Sequence, residues 1–200
     1  LELSRSVVNA ENFDKNCQIW NDLFQDPSQK PSTTGFGSIT ADKSVATHST
    51  GLTLSAWIRP SKVTKKWQTI VRREDSWRRQ LLAIGDTGGT WGIWMGAGIE
   101  GRYVEFGAPV KPNALGDGKW HHVAGTFDGK QMNLYVDGKQ VGRKSIVGKL
   151  YTQSKEPMQI GSYRNEPFHG DLNDVRLFRS GLSKLQIGKI ADGKQDVAKE

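Results

Sequence analysis

Residues 116–144 have the sequence GDGKWHHVAGTFDGKQMNLYVDGKQVGRK, in which two Asp-Gly pairs separate three short strands. The predicted strands are His121–Phe127, Gln131–Val136 and a third that begins over Gln140–Lys144. Asp-Gly is a strong hairpin signal because glycine accepts positive φ without steric cost and aspartate tolerates it. Apolar residues alternate with polar ones from Met132 to Val136, so one face of this meander is apolar and needs a second sheet against it.

The rest of the chain supplies strands for that second sheet and one helix. Leu52–Arg59 alternates apolar with polar side chains and ends at Pro60, as a strand does. Further strands are predicted at Trp67–Arg72, Leu81–Ile84, Trp91–Met95, Arg102–Phe106, Met158–Ser162 and Leu172–Phe178. Gly96–Gly101 is predicted to connect two of them, and Ser183–Ile190 is predicted to be a short helix capped by Ser183. Short strands at this spacing predict an all-β, two-sheet antiparallel sandwich.

The length of 200 residues fits one domain, because no linker is visible between residues 50 and 180. We expect residues 1–35 to be an N-terminal extension that packs on or leads into the sandwich, which then occupies residues 36–200. Within the extension, Asn12–Phe24 suits either a short helix or an edge strand. The single cysteine, Cys17, excludes an intrachain disulfide. No segment resembles a signal peptide or a membrane span, and the abrupt start suggests a module of a longer protein.

The chain is basic, with a formal net charge of +7 and a pI of about 9.5. Such a balance favours anionic partners, namely acidic glycans, nucleic acid or an anionic membrane, and does not choose among them.

Three motifs carry a family resemblance. They are LSAWIRP at residues 54–60, WHHVA at 120–124 followed by FDG at 127–129 and LYVDG at 134–138, and FHGDLNDVRLF at 168–178 followed by Leu182-Ser183. Their order and spacing resemble the laminin-G-like jelly-roll family, within the concanavalin A-like lectin and glucanase superfamily. The resemblance covers roughly residues 35–190 and implies a jelly-roll sandwich with one short C-terminal helix.

The resemblance also implies a class of function. Members of this family usually act as binding modules of extracellular proteins, often for carbohydrate, and some hold a calcium ion. Where the family usually has an acidic residue this chain has Asn173, next to Asp174. An Asn oxygen can still bind a hard cation. Asp42 is the nearest candidate for the family's opening acidic turn, so Asp42 and Asn173 are the candidate calcium ligands.

Catalysis finds little support in the sequence. Glycoside hydrolysis needs two carboxylates that face one cleft, and no strand carries alternating acidic residues. Glu74 and Asp75 are adjacent, so on a strand they point apart. The family resemblance implies that His121 and His122 are structural, one pointing inward and one outward. A Ser-His-Asp arrangement stays open, although no nucleophile elbow is present.

The segment Lys62–Arg79 holds the densest positive charge and two tryptophans. Exposed indole rings stack on sugars, and guanidinium groups pair with sulfates or carboxylates. The loop before Pro167 adds a further aromatic and basic pair. The candidate ligand-binding residues are Trp67, Arg72, Arg73, Trp77, Arg78, Arg79, Tyr163 and Arg164. The alternative is a solvated arginine face and an ordinary polar turn, with Trp91 and Trp94 packed between the sheets. We expect Trp57 and Trp120 to pack between the sheets.

The sequence therefore predicts a non-catalytic carbohydrate-binding module that prefers an anionic polysaccharide, sulfated or uronic. The alternatives are a protein-interaction or adhesion domain, and a polysaccharide hydrolase or lyase. Interleaved aromatics and arginines also suit single-stranded nucleic acid, which the resemblance does not support. Expected partners are a glycan and other domains of a longer secreted protein, at an extracellular, cell-surface or periplasmic location.

Overall fold

A computed structural model describes residues 51–62, 66–111, 114–151, 154, 156 and 158–193, and the backbone of residues 17–20 and 37–39. Over these residues the chain forms twelve strands and one helix. The elements are β1 (Cys17–Trp20), β2 (Gly37–Ile39), β3 (Leu52–Pro60), β4 (Gln68–Arg73), β5 (Gln80–Asp86), β6 (Trp91–Ile99), β7 (Arg102–Pro109), β8 (His121–Phe127), β9 (Gln131–Val136), β10 (Lys139–Ser145), β11 (Met158–Ile160), β12 (Gly170–Phe178) and α1 (Lys184–Ala191).

The strands form two six-stranded antiparallel sheets, which confirms the predicted all-β jelly-roll sandwich. Sheet A has the order β1-β12-β3-β8-β9-β10, and sheet B has the order β2-β11-β4-β5-β6-β7. Strands distant in sequence lie side by side in both sheets, as β12 and β3 do in sheet A. The edge-strand alternative for Asn12–Phe24 is confirmed at β1, which pairs with β12 at the edge of sheet A. The rest of that segment lies outside the described residues.

The predicted meander forms β8, β9 and β10 of sheet A. Val123 pairs with Val136 across the first hairpin. At the second hairpin both Asp137 and Gly138 take positive φ, 48° and 71°. A turn with two positive φ values matches the twist of the flanking strands, and this explains why Asp-Gly stands there.

The core lies between the inner faces of the two sheets. Leu54, Ile58 and Phe127 of sheet A and Ile84 and Met95 of sheet B are fully buried. Each such side chain contributes about 1.5–3 kcal/mol through removal of apolar surface from water. The core therefore holds the sandwich together, and the outer faces of both sheets stay available for other contacts.

Helix α1 lies on the outer face of sheet A. Its buried residues Ile187 and Ile190 belong to a second apolar cluster with Ala124, Tyr135 and Phe178. The Ser183 side chain accepts a hydrogen bond from the backbone N–H of Gln186, and the Gln186 side chain accepts one from the Ser183 backbone N–H, so the predicted cap is confirmed as a capping box. Helix α1 thus covers part of sheet A and leaves the outer face of sheet B to other groups.

The prediction that Gly96–Gly101 connects two strands was wrong, because β6 continues to Ile99 and the turn is only Glu100-Gly101. A Cβ atom built on Gly96 would overlap the Tyr103 hydroxyl, and one on Gly98 would lie 2.7 Å from the backbone oxygen of Trp77. These glycines permit close packing within a strand and do not mark a turn.

The expectation that Trp57 and Trp120 pack between the sheets was also wrong. Trp57 lies on the outer face of sheet A, where its ring meets that of His122 edge-on at 5.6 Å between centroids. Trp120 is half-buried beneath the Arg59 guanidinium, 5.1 Å from its ring centroid. Of Trp57, Trp91, Trp94 and Trp120, only Trp91 belongs to the described core cluster.

Candidate functional site

The outer face of sheet B is built from small residues covered by large ones. In β6, Ile93, Met95 and Ala97 point into the core, so Gly96 and Trp94 between them face outward. Ala83 and Gly107 pair with Trp94 from the two neighbouring strands and face outward with it. A Cβ atom on Gly107 would lie 2.6 Å from Cδ2 of the Trp94 ring. The glycines therefore let aromatic side chains lie directly on the sheet. We call this surface the aromatic–arginine face; it consists of Trp67, Arg72, Glu74, Arg79, Trp94, Tyr103, Tyr163 and Glu166.

Two tryptophans form the apolar part of this face. The Trp67 and Trp94 rings lie 4.8 Å apart between centroids at an interplanar angle of 44°. Both rings are half-buried, so each keeps part of its surface in solvent. Trp94 Nε1 is buried without a hydrogen-bond partner in the described part of the chain. The pair offers a rigid hydrophobic surface of the kind on which a sugar ring stacks.

Two arginines share one carboxylate beside the tryptophans. Glu74 accepts hydrogen bonds from Arg72 Nε and Arg79 Nε, each at 2.8 Å. Arg72 Nη1 also donates to Glu166 Oε2 at 2.8 Å. The Arg72 side chain is only 11% exposed and the Arg79 side chain 29% exposed. The network holds both guanidinium groups in fixed positions, with their charges largely balanced by glutamates.

Each of these arginines also stacks on a tyrosine. The Arg72 guanidinium lies 4.0 Å from the Tyr163 ring centroid, and that of Arg79 lies 4.6 Å from the Tyr103 centroid. Burial, with the charge of Glu105, raises the pKa of Tyr103, so its phenol stays protonated. Burial alone would lower the pKa of Arg79, but the hydrogen bond and charge of Glu74 raise it, so the guanidinium stays charged.

The structure brings four predicted ligand-binding residues together on this face and places three more at its rim. Trp67, Arg72, Arg79 and Tyr163 belong to the face. Trp77 meets exposed Tyr151 edge-on at 4.8 Å between centroids. Arg78 lies 5.5 Å from the Trp77 centroid, and Arg164 lies 5.1 Å from that of Tyr163.

Arg73 is the predicted residue that lies elsewhere. It follows Arg72 in β4, so its side chain points to the inner side of sheet B. Its partners on the neighbouring strands are Met158 and Gln80. It is 3% exposed, and burial lowers the pKa of its guanidinium despite nearby Asp75. A ligand on the outer face therefore cannot reach it.

Of the two predicted calcium ligands, only Asn173 belongs to the described residues. Asp42 lies outside them. Asn173 Oδ1 accepts a hydrogen bond from the Asp174 backbone N–H at 2.7 Å, and Asp174 accepts one from Arg176 Nε at 2.6 Å. Among the residues whose side chains are described, no group of three or more His, Cys, Asp or Glu is placed to hold a metal ion. The calcium site stays a prediction.

Four members of the face were not among the predicted ligand-binding residues: Trp94, Tyr103, Glu74 and Glu166. The signal for Trp94 was available, because Ile93, Met95 and Ala97 alternate as core residues and place Trp94 between them on the outer side. Trp91, three residues earlier, has the opposite parity and is buried in the core. The glutamates carried no comparable signal, because their ion pairs join residues as far apart as Arg72 and Glu166.

Comparison with known proteins identifies the family. The model of a family described as the concanavalin A-like lectin/glucanases superfamily matches residues 33–188. A zebrafish (Danio rerio) adhesion G-protein coupled receptor V1 is 24% identical over 176 residues, which cover 78% of this chain and 3% of the receptor. The chain spans 5% or less of the curated relatives it matches.

Solved structures agree on the fold. Domain 4 of AbnA, an extracellular arabinanase from Geobacillus stearothermophilus solved with arabinotriose, has a TM-score of 0.53 at 16% identity and matches 72% of this chain and 68% of its own. A structure of botulinum neurotoxin type C, described as depending on two ganglioside molecules for cell entry, has a TM-score of 0.59 at 17% identity, with 90% of this chain and 47% of its own covered. In the part of this chain that is described, no helix is long and apolar enough to cross a membrane.

Proposed function

This chain belongs to the concanavalin A-like lectin/glucanases superfamily, and we propose that it is a non-catalytic carbohydrate-binding module. The observation that carries the proposal is the Trp67–Trp94 pair on the outer face of sheet B, 4.8 Å between centroids and partly exposed. Aromatic faces bind the C–H surface of a sugar, and rigid rings lose little conformational entropy on binding.

Polar groups next to the tryptophans would orient the sugar. Arg72 and Arg79 are held by Glu74 and stacked on tyrosines, so their remaining N–H groups point in fixed directions. A sugar hydroxyl that meets such donors needs no rearrangement of the protein. Stacking would thus supply affinity and the arginine–glutamate network orientation, the usual division of roles in ligand sites.

The finer part of the proposal is a preference for anionic polysaccharide, either sulfated or uronic. The formal net charge of +7 supports it, because a basic surface attracts polyanions. Binding of this kind weakens as salt rises, since exposed charges are screened.

We infer a binding role because the carboxylates of this face are occupied. Glu74 is bound by two guanidinium groups and Glu166 by one. Glycoside hydrolysis needs two carboxyl groups that face the glycosidic bond, whereas these two face arginine guanidinium groups. The domain bound to arabinotriose in the arabinanase, and the low coverage of the curated relatives, support a module of a longer extracellular protein.

A titration panel tests the proposal. Isothermal titration with dextran, arabinan, polygalacturonate and dextran sulfate, each with and without a chelator, would define the glycan class and any calcium dependence. Trp94→Ala should abolish binding of the preferred glycan, and Lys184→Gln, on the far side of the sandwich, should not change it. If none of these polysaccharides binds and pull-down yields a stable protein partner, an adhesion domain is favoured. Release of reducing ends from a polysaccharide would show a hydrolase.

A further inference from the structure

Apart from exposed Arg164 at the rim, the basic side chains of the aromatic–arginine face are paired with carboxylates. On that face and its rim, Arg72, Arg78 and Arg79 each pair with an acidic side chain. Charges neutralised in this way contribute little to attraction of a polyanion. Among the described residues, most exposed basic side chains without an ion pair lie elsewhere.

The two sheets meet at one side of the sandwich, where the edge strands β7 and β10 pack together. A Cβ atom on Gly142 of β10 would lie 3.3 Å from the Phe106 ring of β7. Lys144 Nζ donates to the Glu105 backbone oxygen at 3.0 Å, and the Glu100 N–H donates to the Lys149 oxygen at 3.1 Å. Strand β10 and its continuation to Lys149 therefore run antiparallel along β7.

Seven exposed basic side chains line this edge, and we call them the basic ridge: Arg102, Lys111, Lys130, Lys139, Arg143, Lys144 and Lys149. Over the described parts of the chain, none of them forms an ion pair. Nearby carboxylates have other partners. Glu100 accepts from the Lys149 N–H, Asp128 from the Lys130 and Gln131 N–H groups, and Asp137 from His121 and His122. Glu105 interacts with the Tyr103 phenol.

We propose that the basic ridge is a second binding surface, which takes a linear acidic polysaccharide and supplies the anion preference of the module. This inference rests on the proposed carbohydrate binding. The seven residues of β10 extend over about 23 Å at 3.3 Å per residue, so the ridge matches an extended chain with repeated charges. Lys139 begins β10 at the Lys111 end of the ridge, and Arg143 and Lys144 follow between it and the Lys130 and Lys149 end.

Two alternative roles fit the ridge less well. Basic residues on an edge strand guard against pairing with another sheet, but that role does not account for Lys111 and Lys149, which lie beyond the ends of β7 and β10. Nucleic acid is less suitable, because single-strand binding uses stacked aromatic rings and residues 139–149 contain none.

The test compares dextran sulfate with dextran, which has the same backbone without sulfates. The ridge variant carries Lys139→Gln, Arg143→Gln and Lys144→Gln. The matched control removes three exposed charges elsewhere, with Lys62→Gln, Lys119→Gln and Lys184→Gln. We expect the ridge variant to bind dextran sulfate about tenfold or more weakly and with a shallower salt dependence, and the control to change by less than about threefold. The single variant Arg143→Gln should give an intermediate loss.

The outcomes separate this inference from the proposed function. Equal losses in the ridge and control variants, or dextran sulfate binding lost in Arg79→Gln and kept in the ridge variant, would overturn the ridge. Tighter ridge-dependent binding of poly(dT) or of phosphatidylserine vesicles would replace the polysaccharide with nucleic acid or membrane. If Trp94→Ala leaves every glycan bound while the ridge variant does not, the ridge stands and the aromatic–arginine face does not.

Discussion

His121 and His122 are neighbours in β8, but their rings lie on opposite faces of sheet A and have opposite hydrogen-bonding states. His121 is bonded at both ring nitrogens, to Asp137 Oδ2 and to Asp117 Oδ1, each at 2.9 Å. Neither ring nitrogen of His122 has a hydrogen-bond partner among the described residues, and the side chain is 1% exposed. The expectation that one points inward and the other outward is consistent with this placement.

Stability above neutral pH should depend on His121. Burial alone would lower the pKa of His121, but the hydrogen bonds and charges of Asp137 and Asp117 raise it above that of the unfolded chain. Its contribution is therefore complete below about pH 6.5 and is lost as the pH rises through the folded-state pKa. Urea unfolding from about pH 6 to 9 should show the wild type losing stability relative to His121→Gln. If the free energies of unfolding of wild type and His121→Gln changed equally with pH, the stabilising role of the His121 bonds to Asp117 and Asp137 would be contradicted.

Stability below neutral pH should depend on His122, with the opposite sign. Burial lowers the pKa of His122 to about 4, and Arg176 adds to this while Asp174 opposes it. The contribution of a neutral His122 is complete above about pH 6.5 and is lost as the pH falls to about 4, by up to roughly 3 kcal/mol.

His122→Phe, which keeps an aromatic ring against Trp57, removes this titration. The variant should hold its free energy of unfolding better than the wild type when the pH falls from about 6.5 to 4. Because His121 and His122 act in different pH windows, the two single variants isolate the two effects. Equal acid sensitivity of wild type and His122→Phe would contradict the assignment.

Local turn chemistry explains why much of the fold was predictable. Asp137-Gly138 and the Ser183 cap act through their own backbone neighbours, so short-range patterns were sufficient. The candidate face was harder, because Arg72 meets Glu166 only after β11 joins β4 in sheet B. The prediction of a connection at Gly96–Gly101 failed for the same reason. Gly96 is needed because it lies under Tyr103, a contact that exists only once β6 has paired with β7.

Glu74 is expected to fix the arginine geometry of the face. Glu74→Gln keeps the shape but removes the charge that Arg72 and Arg79 share, so we expect a loss of about 1–3 kcal/mol in chemical denaturation. The Arg79 guanidinium would also lose its carboxylate partner, whereas Arg72 keeps Glu166, so dextran sulfate binding should strengthen. Glu156→Gln, at an exposed position without a described ion pair, is the control. Unchanged stability would show that the network contributes nothing.

Two glycine-to-alanine variants should have opposite effects on stability. Gly188 lies inside α1 with nothing within 4 Å of a built Cβ atom, so alanine should stabilise by about 0.5–1 kcal/mol. Gly138 has φ of +71°, where a Cβ atom costs about 1–2 kcal/mol. Thermal and urea unfolding of both variants would test this, and destabilisation by Gly188→Ala would show that α1 packs differently.

Gly107→Ala tests whether glycan binding needs the Trp94 ring in its observed position. The backbone at Gly107 does not have positive φ, but the new methyl group would lie 2.6 Å from Cδ2 and 2.8 Å from Cζ2 of Trp94, so the ring cannot keep its observed position beside Trp67. We expect binding of the preferred glycan to fall about as far as in Trp94→Ala, with a stability loss of about 1–3 kcal/mol from overpacking. Gly188→Ala introduces the same methyl group where space is free and should bind normally. Full binding by Gly107→Ala, with a tryptophan fluorescence change that proves ring movement, would show that the Trp67–Trp94 pair is not the sugar platform.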